Sequence, residues 1–248
     1  MIKFFRKIRY DLMEQNKTGK YFKYAIGEIV LVVIGILIAL SINNWNEKNK
    51  YKKKELTVLS ELQKDLKSNE SIIGGCIRYD SNIIASFNII IDHIQHKRPY
   101  TDSLKTHFAS LIEWCAYEVN DNTYENVKQT LGLELISNDS VRKKIIYLYE
   151  DGYAFGTRNI ENDEATLHRT LMLPLFSKLF MVEESENQID LAIAVPIDYD
   201  QLLENNEFLT SLKLSSNKRK QSISTDRKMY IKTTELINII EKKLKKNQ

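Results

Sequence analysis

The stretch YAIGEIVLVVIGILIALSINNWNE, Tyr24 to Glu47, decides how this chain is read. From Ala25 to Ile42 it holds 18 consecutive residues whose only charge is Glu28. Wound as an α-helix at 1.5 Å per residue, that run covers roughly 27 Å, about the hydrocarbon thickness of a bilayer. Core helices of soluble proteins keep a polar face, and this run has none, so it predicts a membrane span. A cleaved signal peptide fits less well. The run is too long, begins well inside the chain, and ends in Ser41-Ile42-Asn43-Asn44-Trp45 rather than a small-x-small site. An uncleaved anchor is expected.

Glu28 lies about one turn inside the edge of the run, where a carboxylate reaches headgroups and water at less cost than at the bilayer centre. Two readings stand: a snorkelling interfacial residue, or a contact with a partner helix. Gly35 and Ala39 form a small-xxx-small pair of the kind that lets spans pack closely. Glu28, Val32, Gly35 and Ala39 follow spacings of four, three and four, so they share one helical stripe. Tyr21, Phe22 and Tyr24 mark the near interface, and Trp45 the far one.

The net charge is +3, but the excess sits at the N-terminus. Lys3, Arg6, Lys7, Arg9, Lys17, Lys20 and Lys23 stand against only Asp11 and Glu14. A basic excess beside an apolar run suits a membrane surface and not a nucleic acid. Ile2, Phe5, Ile8 and Leu12 add an apolar stripe, as in a helix lying on an anionic leaflet. The far flank carries five lysines between Lys48 and Lys54, so the charge bias places the N-terminus inside and the following domain outside. The chain then divides into 1–24, a basic amphipathic cytoplasmic segment; 25–45, the span; and 46–248, a helical domain expected in the periplasm.

The stretch YAIGEIVLVVIGILIALSINNWNE resembles the opening of domain of unknown function 6090, a family of uncharacterised single-span proteins of Bacteroidota. The likeness continues through TYENVKQTLGLELISNDSVRKKIIYLYE and FLTSLKLSSNKRKQ. It implies a membrane protein of unassigned role, supplies no catalytic residues, and makes Glu28 and the Asn-Asn-Trp ending signature positions.

Beyond the span, helical periodicity starts at once. Leu59, Leu62, Leu66, Asn69, Ile73, Cys76, Asp80, Ile83, Phe87, Ile90 and Ile94 follow a 3,4 spacing, a bundle seam broken only by Asn69 and Asp80. With no breaker between Trp45 and Glu55, span and first bundle helix are expected to be continuous, with a weak point at Gly74-Gly75 and an end before Pro99. Further helices are predicted from a cap at Asp102 or Ser103 to Tyr117, from Asn122 to Gly132, from Asn138 through Tyr149 or beyond, and from Ala165 to Phe180 with a break or kink at Pro174. QIDLAIAVPIDY reads as a short strand or extended loop, and Gln201–Leu214 and Thr225–Lys246 as the last helices. The fold class is all-α: a single N-terminal transmembrane helix continuing into a helical bundle.

Chemistry-bearing motifs are scarce. His93 and His96 stand three apart with no His-Glu-x-x-His companion, and read as surface histidines. Phosphate-binding glycine loops and nucleophile elbows do not occur in the sequence. No catalytic, cofactor or metal residue is therefore assigned. The segment from Thr123 to Tyr149 mimics a helix-turn-helix, but a domain outside the cytoplasm does not meet DNA. Tyr147, Tyr149, Tyr153 and Phe155 read as core and interface packing. Cys76 and Cys115 each lie on an apolar face, so two buried free thiols are expected.

These features point to a membrane-anchored interaction or sensory module in contact with lipid. Glu28, Gly35 and Ala39 are the candidate contact residues for a protein partner or a second copy, beside the reading of Glu28 as an interfacial residue reaching headgroups and water. No output domain is seen on the inner side, so a signal would pass through a partner. The alternatives are a tethered enzyme with a site built from scattered residues, converging on His107, His168 and carboxylates, or a small-ligand bundle around Tyr147, Tyr149 and Phe155.

Overall fold

The structure is a computed structural model, describing Arg6, Tyr10 and residues 18–153, 161–183 and 193–246. The proposed surface helix Ile2–Met13 lies outside these residues save for two positions, as does Phe155. The chain separates into two units, Met1–Leu56 and Thr57–Gln248.

Helix α1 is unbroken from Thr18 to Gln95. Its apolar stretch is long and apolar enough to cross a membrane, and none of that window is buried by protein. Such a helix is compatible with a single-pass membrane protein. Phe22 and Trp45 are exposed at its two ends.

In the second unit the predicted seam is fully realised. All eleven positions from Leu59 to Ile94 are buried, Asn69 and Asp80 included. Gly74-Gly75 does not interrupt the helix. A Cβ on Gly74 would stand 3.1 Å from Cε2 of Tyr230, so this glycine permits close approach of the last helix. Short elements follow α1: α2 Leu104–Ala109 with a 3-10 turn to Ile112; α3 Asn122–Thr130; and α4 Asp139–Ile146, continued as a π-turn to Tyr153. The Asn138 side chain caps α4 by accepting from the Val141 N–H at 3.0 Å. Gly132, at φ 74°, closes α3 by donating to Val127 O at 2.9 Å.

Helix α5 Glu161–Leu167 passes through a π-turn, His168–Met172, into α6 Leu173–Leu179. Pro174 therefore opens α6 instead of breaking a helix, since an N-terminal position demands no N–H. A two-stranded antiparallel sheet follows, β1 Phe180–Glu183 with β2 Ile193–Pro196, in register Phe180 to Pro196. After α7 Tyr199–Leu203, helix α8 runs unbroken from Asn206 to Lys245. The two C-terminal helices expected from the sequence are thus divided at Glu204-Asn205, not near Leu214. Asn205 caps α8 by accepting from the Phe208 N–H at 2.9 Å.

Helix α8 packs antiparallel to α1, and the two share two apolar clusters. One joins Leu59–Ile73 to α3, α4 and Met229–Ile240. The other joins Ile83–Ile94 to α2, α6, β2, α7 and Phe208–Leu212. Between the clusters lies a polar layer.

Candidate functional site

The polar layer begins with what α1 does at its two seam breaks. The segment 113–121 was expected to be helical up to Tyr117, but it is extended and lies antiparallel along α1. Side chains of α1 hold its backbone. The Asn69 amide pairs with Asn120 twice: it accepts from the Asn120 N–H at 2.7 Å and donates to its carbonyl at 3.0 Å. Asp65 accepts from the Asn120 side chain at 2.9 Å. Asp80 Oδ1 accepts from the Cys115 N–H at 3.1 Å, and Tyr79 donates to Glu113 at 2.8 Å. These bonds replace the helical ones the segment gives up, which is why local helix propensity does not prevail.

A disulfide between Cys76 and Cys115, with Cα atoms 5.3 Å apart, completes the strap. This corrects the expectation of two free thiols. Cys115 leaves the apolar face of α2 because the helix stops at Ile112, three residues short of it.

Beneath and beside the strap, four charged side chains converge. Asp80, Glu164, Arg219 and Asp226 are each at most 8% exposed. Arg219 Nε donates to Glu164 Oε1 at 2.7 Å, and Ser222 donates to Glu164 Oε2 at 2.7 Å. Tyr117, from the strap, donates to Asp226 Oδ1 at 2.8 Å. Arg219 Nη1 stands 3.8 Å from Asp80 Oδ1 and makes no hydrogen bond. Its guanidinium lies 5.9 Å from the Phe87 ring centre. His168, 6% exposed, sits against Trp114 with ring centres 4.4 Å apart, and neither ring nitrogen has a well-formed hydrogen bond.

Burial sets the electrostatics. It pushes Asp80 up to about 6, against the pull of Arg219 and the Cys115 N–H. Asp226 is raised by burial too, with Tyr117 opposing and Glu164 adding to the rise. Burial lowers His168, with the Ile112 carbonyl acting in the other direction, so its imidazole is neutral near pH 7.

A second feature is a groove of about 540 Å³ between α4 and α8. It is lined by the buried Leu148 and Leu236, by Lys143, Lys144 and Lys232, and by the carboxylates Asp139 and Glu235. Lys232 Nζ donates to Tyr147 Oη at 2.7 Å, and Lys143 pairs with Asp139.

The residues singled out in the sequence fall as follows. Glu28, Gly35 and Ala39 lie on one unbroken stretch of α1, and the space where a Gly35 Cβ would stand is open. His93 bonds the Tyr199 hydroxyl at 3.3 Å while His96 pairs with Asp92, so they take separate partners. Among the described residues no group of three histidine, cysteine or acidic side chains is placed to hold a metal ion. His107 bonds Ser86 Oγ at 3.0 Å, whereas His168 lies within electrostatic reach of Glu164 and Arg219. Tyr149 and Tyr153 pack in the core, Tyr149 stacked on Tyr124 at 4.6 Å, but Tyr147 is exposed and lines the groove. Sequence reasoning missed Glu164, Arg219 and Asp226. The available signal was the 3,4 seam of α8, which runs through Ser216, Arg219, Ser222 and Asp226 without a break.

Compared with known proteins, residues 28–172 match a family model described as a family of unknown function, DUF6090. No curated protein and no solved structure matches the chain.

Proposed function

The chain belongs to the DUF6090 family, and we propose that it is a single-pass inner-membrane protein whose helical domain stands outside the cytoplasm as an interaction or sensory module. The Cys76–Cys115 bridge carries this reading. Disulfides persist in oxidising compartments and are rare in the cytosol, so a bridged domain favours the periplasmic side. The charge bias across the span points the same way. The span touches lipid along its whole apolar length. It also offers Glu28, Gly35 and Ala39 as one stripe for a second copy or a partner helix. Nucleic acid is not among the partners proposed.

The test is a pair of reporters fused after Gln248, one active only outside the cytoplasm and one only inside. Activity of the outside reporter, together with a linked Cys76–Cys115 peptide recovered from cells, is expected. A signal from the cytoplasmic reporter refutes the placement. For the stripe, Glu28→Gln and Gly35→Leu should each weaken self-association in a membrane two-hybrid assay, because a hydrogen bond between spans contributes about 0.6–2 kcal/mol. Equal signals for both variants and wild type remove self-pairing through this face.

The groove between α4 and α8 supports a second reading, a small-ligand site. Its leucines, with Lys144 and Lys232 set against Asp139 and Glu235 around them, suit an amphipathic ligand carrying polar groups of either sign.

A further inference from the structure

The polar layer is short of positive charge. Three carboxyl groups, Asp80, Glu164 and Asp226, are buried with one guanidinium. If all three ionised, two negative charges would stand uncompensated between two apolar clusters. A medium of low polarity does not tolerate that without a counter-charge.

Among the described residues the surroundings supply no second buried arginine or lysine. On α1 the neighbour is Tyr79, whose own proton is held by burial and by Glu113. The strap adds Glu113 and the neutral hydroxyl of Tyr117. The π-turn adds His168, whose charged form burial disfavours, and Arg169, whose side chain is exposed to solvent. On α8, Lys218 is taken by Asp163 at 2.8 Å. Two observations besides the acids mark the layer as incomplete. Arg219 Nη1, on a residue 3% exposed, stops 3.8 Å from Asp80, and His168 has no well-formed hydrogen bond at either ring nitrogen, the Ile112 carbonyl alone acting on it from the backbone.

We propose that Asp80 and Asp226 form a proton-binding site, which fills as the external pH falls and so sets how firmly residues 161–172 are seated against the strap. The inference rests on the reading of the domain as an outward-facing sensory module, and names the proton as what it senses. With both acids protonated, the layer reduces to the Arg219–Glu164 pair, which is charge-balanced and hydrogen-bonded. With both ionised, like charges on α1, α5 and α8 face one another, and water must enter to solvate them. The contact between Trp114 on the strap and His168 on the π-turn spans the seam that would loosen.

That contact also gives the assay. The sequence has two tryptophans, Trp45 and Trp114, so Trp45→Phe leaves Trp114 as the sole reporter. In detergent micelles, the full chain in a Trp45→Phe, Glu28→Gln background should show a Trp114 emission transition centred near pH 6, following Asp80. Asp80→Asn should abolish it, Asp226→Asn should shift its midpoint, and His168→Gln should keep the midpoint. A flat profile overturns the proposal. So does an Asp80→Asn protein that titrates like its parent, or a transition lost only in His168→Gln, which would belong to the imidazole. Should Asp80→Asn fail to fold, the infrared carbonyl band of protonated carboxylic acid in the parent decides. The band must fall between about pH 5 and 7.5, above the range of ordinary carboxylates, and a band that does not fall refutes the site. Because the titration is read on purified protein, its failure leaves the reporter result at Gln248 untouched, and a cytoplasmic reporter signal leaves the titration untouched.

Discussion

Removing the strap's covalent tie gives the most quantitative expectation. Cys76 and Cys115 are 39 positions apart, so the bridge closes a loop of about that size in the unfolded chain. On the chain-entropy account such a loop loses about 13 cal/mol/K, equal to about 4 kcal/mol at 25 °C. Cys76→Ser with Cys115→Ser should therefore lower the stability of the folded domain by about 4 kcal/mol. With a urea slope of about 2–3 kcal/mol/M for a domain of this size, the midpoint should fall by about 1.3–2 M. The assay is urea unfolding followed by far-UV circular dichroism, with and without a thiol reductant. Reductant should move the wild-type midpoint to that of the variant and leave the variant unchanged. The strap's hydrogen bonds to Asn69, Asp65 and Asp80 remain available in the variant, so it should still fold. A midpoint shift under about 0.3 M would refute the reasoning, because it would mean that the unfolded chain gains little freedom when the tie is cut.

Arg219→Met should destabilise the domain by about 3–5 kcal/mol, since it strands the Glu164 carboxylate, and adding Glu164→Gln should recover part of that loss in a double-mutant cycle. The adjacent glycines of α1 should respond in opposite directions: Gly75→Ala, with open space around it, should raise stability by about 0.5–1 kcal/mol, while Gly74→Val, pressed on the Tyr230 ring, should lower it by about 1–3 kcal/mol. The raised pKa of Asp80 means that the folded protein holds a proton the unfolded chain has released between about pH 3.8 and 6. Its contribution is present below that window and is lost as pH rises through it, by about 2–3 kcal/mol. Urea midpoints of wild type compared with Asp80→Asn should diverge across that range and run parallel above it.

Much of the fold was legible because burial writes itself as a period. Leu59 to Ile94 kept the 3,4 rhythm, and even the two polar intruders proved to be inside. Caps at Asn138 and Gly132 were legible because a backbone N–H or carbonyl left over at a helix end can be met by few residue types. The polar layer was not legible. Asp80, Glu164, Arg219 and Asp226 come from three separate helices, and no local rule relates them. On α8 the seam residues around the layer are polar, so an apolar rhythm fades where the helix continues, and one helix read as two. The strap was hidden for the opposite reason. Glu113 to Tyr117 looks helical by itself, and its extended form depends on acceptors and donors of α1 more than 30 residues earlier.

The place of α8 has a consequence for the order in which the molecule can be made. Helix α1 leaves the ribosome before α8, yet Ile73 and Ile90 on α1 share their cores with Met229 and Phe208 on α8. During synthesis the seam of α1 must wait, with its apolar side chains uncovered, until the more than 100 residues between it and α8 have been delivered. A product that stopped before Asn206 would carry α1 with both clusters open along one side, and a long apolar stripe of that kind invites association with whatever apolar surface is near. Folding of the domain is therefore decided by the arrival of the 40-residue helix α8.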